Sequence, residues 1–191
     1  AILNKETGLI PKGGRRLVSQ CGIFEYEGRF IMITDAAINI APDVETQIGI
    51  VENALPVARA LGVECPKVAV LSAVENVTDK MPSTVTAREI AERGVEGCVI
   101  SGPLALDGAI SMESVRHKAI KDPVAGQADI LLVPFIEIGN VLYKACSYIA
   151  GKTMASTICG ASCPVIITSR ADTPDSKYYS ILMAVLRCLK A

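Results

Sequence analysis

The chain has 191 residues, a formal net charge of −1 and a pI near 5.9; half of it is hydrophobic, with a mean hydropathy of +0.39. Such a charge sets up no global field to recruit nucleic acid or an anionic membrane surface, and any anionic ligand must be held by local charge. No apolar run approaches the roughly 18 residues that span a bilayer, and no signal-peptide pattern opens the chain, so the expectation is a soluble, cytoplasmic protein.

Aromatic residues make up only 4% and Trp is absent. The core must therefore be built from Val, Ile, Leu and Ala, as in sheets covered by helices on both faces. Residues 19–38 contain two apolar runs around "YEGR", which predicts an antiparallel hairpin at a sheet edge. In the following segment Val44, Ile48, Val51, Leu55 and Ala58 recur three or four apart. That spacing predicts a helix opened by Pro42 and Asp43, closed by Gly62 and kinked at Pro56.

"KVAVLSAV" (67–74) predicts a strand buried on both faces, and "TAREIAERG" a helix with a capping box from Thr86 and Glu89. The strand "GCVISG", the loop "PLALDGA", the helix "SMESVRHKA" and the strand "ADILLVP" follow. A helix over "EIGNVLYKACSYIAG", strands over "MASTICG" and "CPVIITS", and a final helix over "PDSKYYSILMAVLRCLK" complete the chain. This alternation predicts an α/β fold with a doubly wound, largely parallel sheet.

The seven cysteines are scattered and mostly lie inside apolar segments, which reads as buried structural thiols in a reducing compartment rather than a disulfide framework. Cys159 and Cys163 are the only pair close in sequence, weak grounds for a metal. The single histidine, His117, reads as an exposed helical residue. No metal site is expected. The chain opens at Ala1 in mid-pattern and without methionine, as a processed or shortened chain would.

In an open α/β sheet, ligands bind beyond the carboxyl ends of strands, near helix amino ends. That rule nominates the loop at Asp35 and Asn39, and the segment with Glu137, Gly139, Asn140, Tyr143 and Lys144. It also nominates the stretch Ser169, Arg170, Ala171 and Asp172, with Thr173 as N-cap and Pro174 at the first helical position. A hydroxyl, a guanidinium and free backbone N–H groups at a helix start suit a phosphate. Equally, Arg170 could pair with Asp172 or Asp175 as a structural clamp. There is no Walker loop, no G-x-G-x-x-G and no G-x-S-x-G elbow, and one His in a helix is a poor basis for a hydrolase triad.

The stretches "TDAAINIAPDVETQIGIVENALPVARALGV", "KVAVLSAVENVTDKMPST", "CVISGPLALDGAIS", "HKAIKDPVAGQADILLVPFIEIGNVLYK" and "CPVIITSRADTPDSK" resemble the phosphate acetyl/butyryl transferase family over essentially the whole chain. The branch acting on butyryl phosphate is the better match. The resemblance implies the reversible reaction of acyl-CoA and phosphate to acyl phosphate and CoA, with CoA as substrate and neither cofactor nor metal. It also implies a fold like that of the isocitrate and isopropylmalate dehydrogenases, in two α/β domains with a cleft between them, and a homodimer formed through the second domain. On that reading 17–166 is the second domain. Residues 1–16 and 167–191 are remnants of a first domain that is otherwise missing, so that the fragment alone could be inactive.

The family's phosphate-holding pair falls on Ser169 and Arg170, and its cleft positions fall on Gly139, Asn140, Tyr143 and Lys144. One position departs from the pattern. The acetyl branch has its catalytic aspartate six residues beyond the arginine, where this chain has Ser176, which leaves Asp172 or Asp175 as the candidate base. Two rival readings remain: a non-catalytic acyl-CoA or acyl-phosphate sensor, and a nicotinamide-dependent dehydrogenase of the same fold, disfavoured because the metal-binding aspartates of that group are missing.

Overall fold

A computed structural model of the chain describes Leu9 and residues 17–189. Six strands form one sheet: β1 (Ser19–Tyr26), β2 (Arg29–Thr34), β3 (Lys67–Leu71), β4 (Val99–Leu104), β5 (Ile130–Leu132) and β6 (Ala155–Cys159), in the spatial order β4-β3-β5-β2-β1-β6. The pairs β4/β3, β3/β5 and β5/β2 are parallel, whereas β1 runs antiparallel to both β2 and β6. The helices are α1 (Val44–Ala60), α2 (Pro82–Arg93), α3 (Leu106–Ile110), α4 (Met112–Lys118), α5 (Ile136–Lys144) and α6 (Pro174–Leu189), and a π-helical turn, Ala145–Ile149, extends α5.

Successive strand residues point to opposite faces, so a sheet covered on both sides needs apolar residues at every position. Met32, Val68, Val70, Ile130 and Leu132 pack beneath α1, α2 and α6. Ile31, Ile33, Ala69, Leu71 and Leu131 pack on the other face with residues of α3, α4 and α5. This is the doubly wound arrangement that the alternating elements predicted.

The hairpin turn is as expected, with Glu27 (φ 51°) and Gly28 (φ 78°) both in the left-handed region that a tight two-residue turn requires. Its place is not. The pair lies within the sheet, between β5 and β6, because Ser19–Phe24 and Ile31–Thr34 are buried on both faces and leave no solvent side. Asp43 caps α1 by accepting the Thr46 N–H at 2.8 Å, and the helix runs through Pro56 to Ala60.

α2 starts earlier than predicted. Pro82 opens it, Met81 precedes it without a side-chain cap, and Thr86 lies within the helix, so no capping box forms there. The turn before the helix is closed instead by the Thr78 N–H donating to Thr84 Oγ1 at 2.9 Å. "PLALDGA" carries the short helix α3 rather than a plain loop.

The largest departure is "CPVIITS", which forms no strand. Its only ladder contact is Ile158 N–H to Val165 O at 2.9 Å. The next outward N–H of β6, that of Ser156, donates to Ser180 Oγ of α6 at 2.9 Å. With that edge position taken, residues 166–172 leave the sheet and cross to α6 as a loop.

All seven cysteines are free. Cys21 and Cys159 are buried, Cys98 and Cys146 half-buried, and Cys65, Cys163 and Cys188 exposed, so the expectation of buried thiols fails for the last three, which lie outside the strands. His117 is exposed on α4, as expected. No helix of the described residues is long and apolar enough to cross a membrane.

Candidate functional site

The carboxyl end of β2 leads into a loop organised by Asp35. Its Oδ1 accepts the N–H groups of Ala37 and Ile38 at 2.9 and 3.1 Å, and its Oδ2 accepts Asn39 N–H at 3.2 Å and Asn39 Nδ2 at 2.6 Å. Asn39 Nδ2 also donates to Val18 O at 2.9 Å, tying the loop to the start of β1. With four donors on a buried carboxylate, Asp35 holds the loop in shape and has no lone pair left for a substrate proton.

Helix α5 lies against this loop, and Gly139 is the reason it can. A Cβ there would come within 2.7 Å of Asp35 O and 2.9 Å of the Ala36 Cα and the Val133 side chain. One turn of that contact is fastened by Asn140 Nδ2 donating to Ala36 O at 3.3 Å. Tyr143 lies over β1 at Gly22, where an added Cβ would meet its ring at 2.6 Å. Burial, with Asp172 and Tyr148 nearby, pushes the Tyr143 hydroxyl up to about 12, so it is a proton donor throughout the neutral range.

The segment before α6 turns sharply. Ser169 N–H donates to Asp172 Oδ2 at 2.6 Å, Asp172 N–H to Ser169 O at 3.2 Å, and Ala171 N–H to Ser169 Oγ at 3.3 Å. Thr173 caps α6 as predicted, its Oγ1 accepting the Ser176 N–H at 3.2 Å. Among the described residues Arg170 forms no ion pair with Asp172 or Asp175; the first of these carboxylates is engaged by the turn itself.

These pieces meet in one cleft of about 370 Å³. Asn140, Tyr143 and Lys144 of α5 share its wall with Ser169 and Asp172, although the two segments are far apart in sequence. Arg170 is exposed at the tip of the turn next to Ser169, Gly139 lies behind the wall, and Asp175 is exposed in the first turn of α6. Glu137 lines a second, apolar cleft of about 550 Å³ on the other side of α5, with Leu71, Leu106 and Val141.

Sequence reasoning missed two residues of the first cleft, Gln20 and Ser156. Gln20 Nε2 donates to Ser156 Oγ at 3.0 Å, and Gln20 is buried with no hydrogen-bond partner on its Oε1. The signal was present: a glutamine inside the apolar run "VSQCGIF" is a polar group on a buried face, and the following Gly22 marks a close approach to a strand.

Chemically the cleft offers neutral and cationic donors, from Ser169, Asn140, Tyr143 and Lys144, and one carboxylate, Asp172. That donor excess suits an oxyanion. The family model for phosphate acetyl/butaryl transferase matches residues 5–185. The chain belongs to that family. It is 44% identical over 192 residues to a phosphate butyryltransferase of Clostridium acetobutylicum, and 43% identical over 162 residues to a phosphate acetyltransferase of Thermotoga maritima. Those alignments cover 97% and 83% of this chain and 63% and 55% of the relatives, so the chain spans less than two thirds of their length. A branched-chain phosphotransacylase of Enterococcus faecalis superposes with a TM-score of 0.86 at 42% identity, over 91% of this chain and 64% of that one.

Proposed function

We propose that the chain is the phosphate-binding half of an acyltransferase that interconverts acyl-CoA plus phosphate with acyl phosphate plus CoA, the acyl group being butyryl or another short or branched chain. The observation that carries this reading is the single cleft that gathers Asn140, Tyr143, Lys144, Ser169 and Asp172.

In the direction of thioester synthesis the CoA sulfur bonds to the acyl carbonyl carbon, the carbon–oxygen bond to phosphate breaks, and the thiol proton leaves the sulfur. A thiol with a pKa near ~8.5 is mostly protonated at neutral pH, so a nearby base increases the attacking thiolate. Asp172 is assigned that role: Oδ2 is held by Ser169 N–H while Oδ1 has no partner among the described residues. Asp175, exposed on α6, is the weaker candidate. The carbonyl oxygen gathers negative charge during attack, and each donor aimed at it lowers the barrier by about 3 kcal/mol. Tyr143 and Lys144 are assigned to it. Ser169 and Arg170 hold the phosphoryl oxygens; the planar guanidinium can engage two of them in a fork, which an ammonium cannot copy.

The wider organisation is part of the proposal. Residues 17–166 are assigned to the second domain and 167–191 to the first, although α6 packs here on β6 and shares the core of the sheet. The segment 1–16, assigned with them, lies outside the described residues apart from Leu9, and the assembly is a homodimer through the second domain. Exposed Ile138, Val141 and Ile149 along α5 and its extension supply apolar surface that a second copy would cover. CoA is a substrate and no cofactor is invoked. The seven free thiols fit a reducing, cytoplasmic setting.

The test is thioester formation on mixing the chain with CoA and butyryl phosphate. Thioester appearing with release of phosphate supports the transferase. Binding of both substrates without turnover in a chain extended to the length of its relatives would replace it with a sensing role, since the chain alone is only half of the enzyme proposed.

A further inference from the structure

We propose that Ser180 is a positioning residue for the turn Ser169–Asp172, setting where that turn stands over the cleft by fixing the register of α6 on β6. The proposal rests on the reading of that turn as a phosphate grip.

Ser180 is 1% exposed and both halves of its hydroxyl are used: Oγ accepts Ser156 N–H from β6 at 2.9 Å and donates to Ser176 O at 2.7 Å. The polar connection continues both ways. Toward the sheet, Ser156 Oγ accepts Gln20 Nε2 of β1 at 3.0 Å, and both of these side chains line the cleft. Toward the turn, Thr173 Oγ1 accepts Ser176 N–H at 3.2 Å and donates to Ser176 Oγ at 3.1 Å. Thr173 adjoins Asp172. Hydrogen bonds alternating with short stretches of Ser156 and Ser176 therefore link the wall of the cleft to the residue beside the turn.

Directional contacts matter here because the rest of the packing is not directional. α6 meets the sheet through Met183 and Ala184, and burial of such side chains fixes which face is turned inward but resists a small slide along the helix axis less sharply than a hydrogen bond does. A slide of a third of one residue's rise already moves a helix about 0.5 Å along its axis without turning its buried face outward. Binding groups must be held to within about 0.5 Å, so α6 needs a register pin near its amino end. Ser180 supplies it. Arg187 also ties α6 to β6, its Nη1 donating to Thr157 Oγ1 at 3.2 Å and Ile158 O at 3.0 Å, but it stands two turns farther from the cap.

The test compares Ser180→Ala with Arg187→Ala in the purified chain, reading amide hydrogen exchange at Ser169 and Asp172 and affinity for inorganic phosphate. Both variants cut a tether between α6 and β6, and only the first frees the turn. For Ser180→Ala we expect exchange at those two amides to quicken about tenfold and phosphate affinity to fall about five- to tenfold, the scale of one lost hydrogen bond. Arg187→Ala should lower the melting temperature yet leave both readings within about twofold of wild type. Unchanged exchange in a folded Ser180→Ala chain, or equal loosening in both variants, overturns the proposal. If Ser180→Ala does not fold, Ser180→Cys keeps the shape with a poorer acceptor and is read in the same way. A wild-type chain that binds no phosphate sinks the phosphate reading instead, and the exchange comparison still decides whether Ser180 positions the turn.

Discussion

Asp172 Oδ2 accepts the backbone N–H of Ser169 at 2.6 Å, so the carboxylate offered as general base also closes the turn that carries the phosphate grip. The two duties can be separated by substitution. Asp172→Asn keeps an acceptor oxygen for Ser169 N–H and removes the base. Acyl transfer should fall about 10²- to 10⁴-fold, the usual range for a general base, while phosphate affinity holds. Asp172→Ala should lose both. Turnover of Asp172→Asn close to wild type would show that the thiol proton goes elsewhere.

For Arg170 the decisive comparison is with lysine, which keeps the charge and discards the fork. Arg170→Lys should weaken phosphate binding by about tenfold or more and leave the melting temperature unchanged, since the side chain is exposed and no ion pair joins it to Asp172 or Asp175. Phosphate titration and a thermal melt on the same preparation check both halves of that statement.

The contact between Gly22 and Tyr143 should be readable as a coupling. A methyl at residue 22 would sit 2.6 Å from the Tyr143 ring, so Gly22→Ala should cost about 1–3 kcal/mol of stability, the range for overpacking. In the Tyr143→Ala background the same change should cost much less. Additive losses would mean that the ring is not what Gly22 makes room for.

Alkaline unfolding reports on Tyr143. Its hydroxyl is pushed up to about 12 in the folded chain, chiefly by burial. In the unfolded chain it returns to the ordinary value of about 10. Between those limits the folded state keeps a proton that the unfolded state releases, so stability falls as pH rises from about 10 to about 12. Tyr143→Phe should flatten that part of the stability profile and leave the neutral region unaltered. An unchanged alkaline slope would place the hydroxyl in water.

How far the sequence carried the structure depended on whether a signal was local. Apolar runs such as "KVAVL" show burial on both faces, and Asp43 and Thr173 show helix starts, because periodicity and capping are written into neighbouring residues. The hairpin turn at Glu27–Gly28 was legible for the same reason. Its position inside the sheet was not, since that depends on which strands lie beside it. "CPVIIT" has strand composition, yet the place it would have taken on β6 belongs to Ser180, a residue of a later helix. The cleft followed the same division. Asn140, Tyr143, Lys144, Ser169 and Asp172 could be named from motifs, whereas Gln20 and Ser156 became site residues only when β1 and β6 paired.

In the proposed function the Ser169–Asp172 turn grips a phosphoryl group at the mouth of this cleft. A crystal structure of the chain grown or soaked with inorganic phosphate tests it most directly. Phosphate should lie within hydrogen-bond distance of Ser169 Oγ and the Arg170 guanidinium, on the side of the turn toward Tyr143 and Lys144. Phosphate bound elsewhere with that turn unoccupied would contradict it.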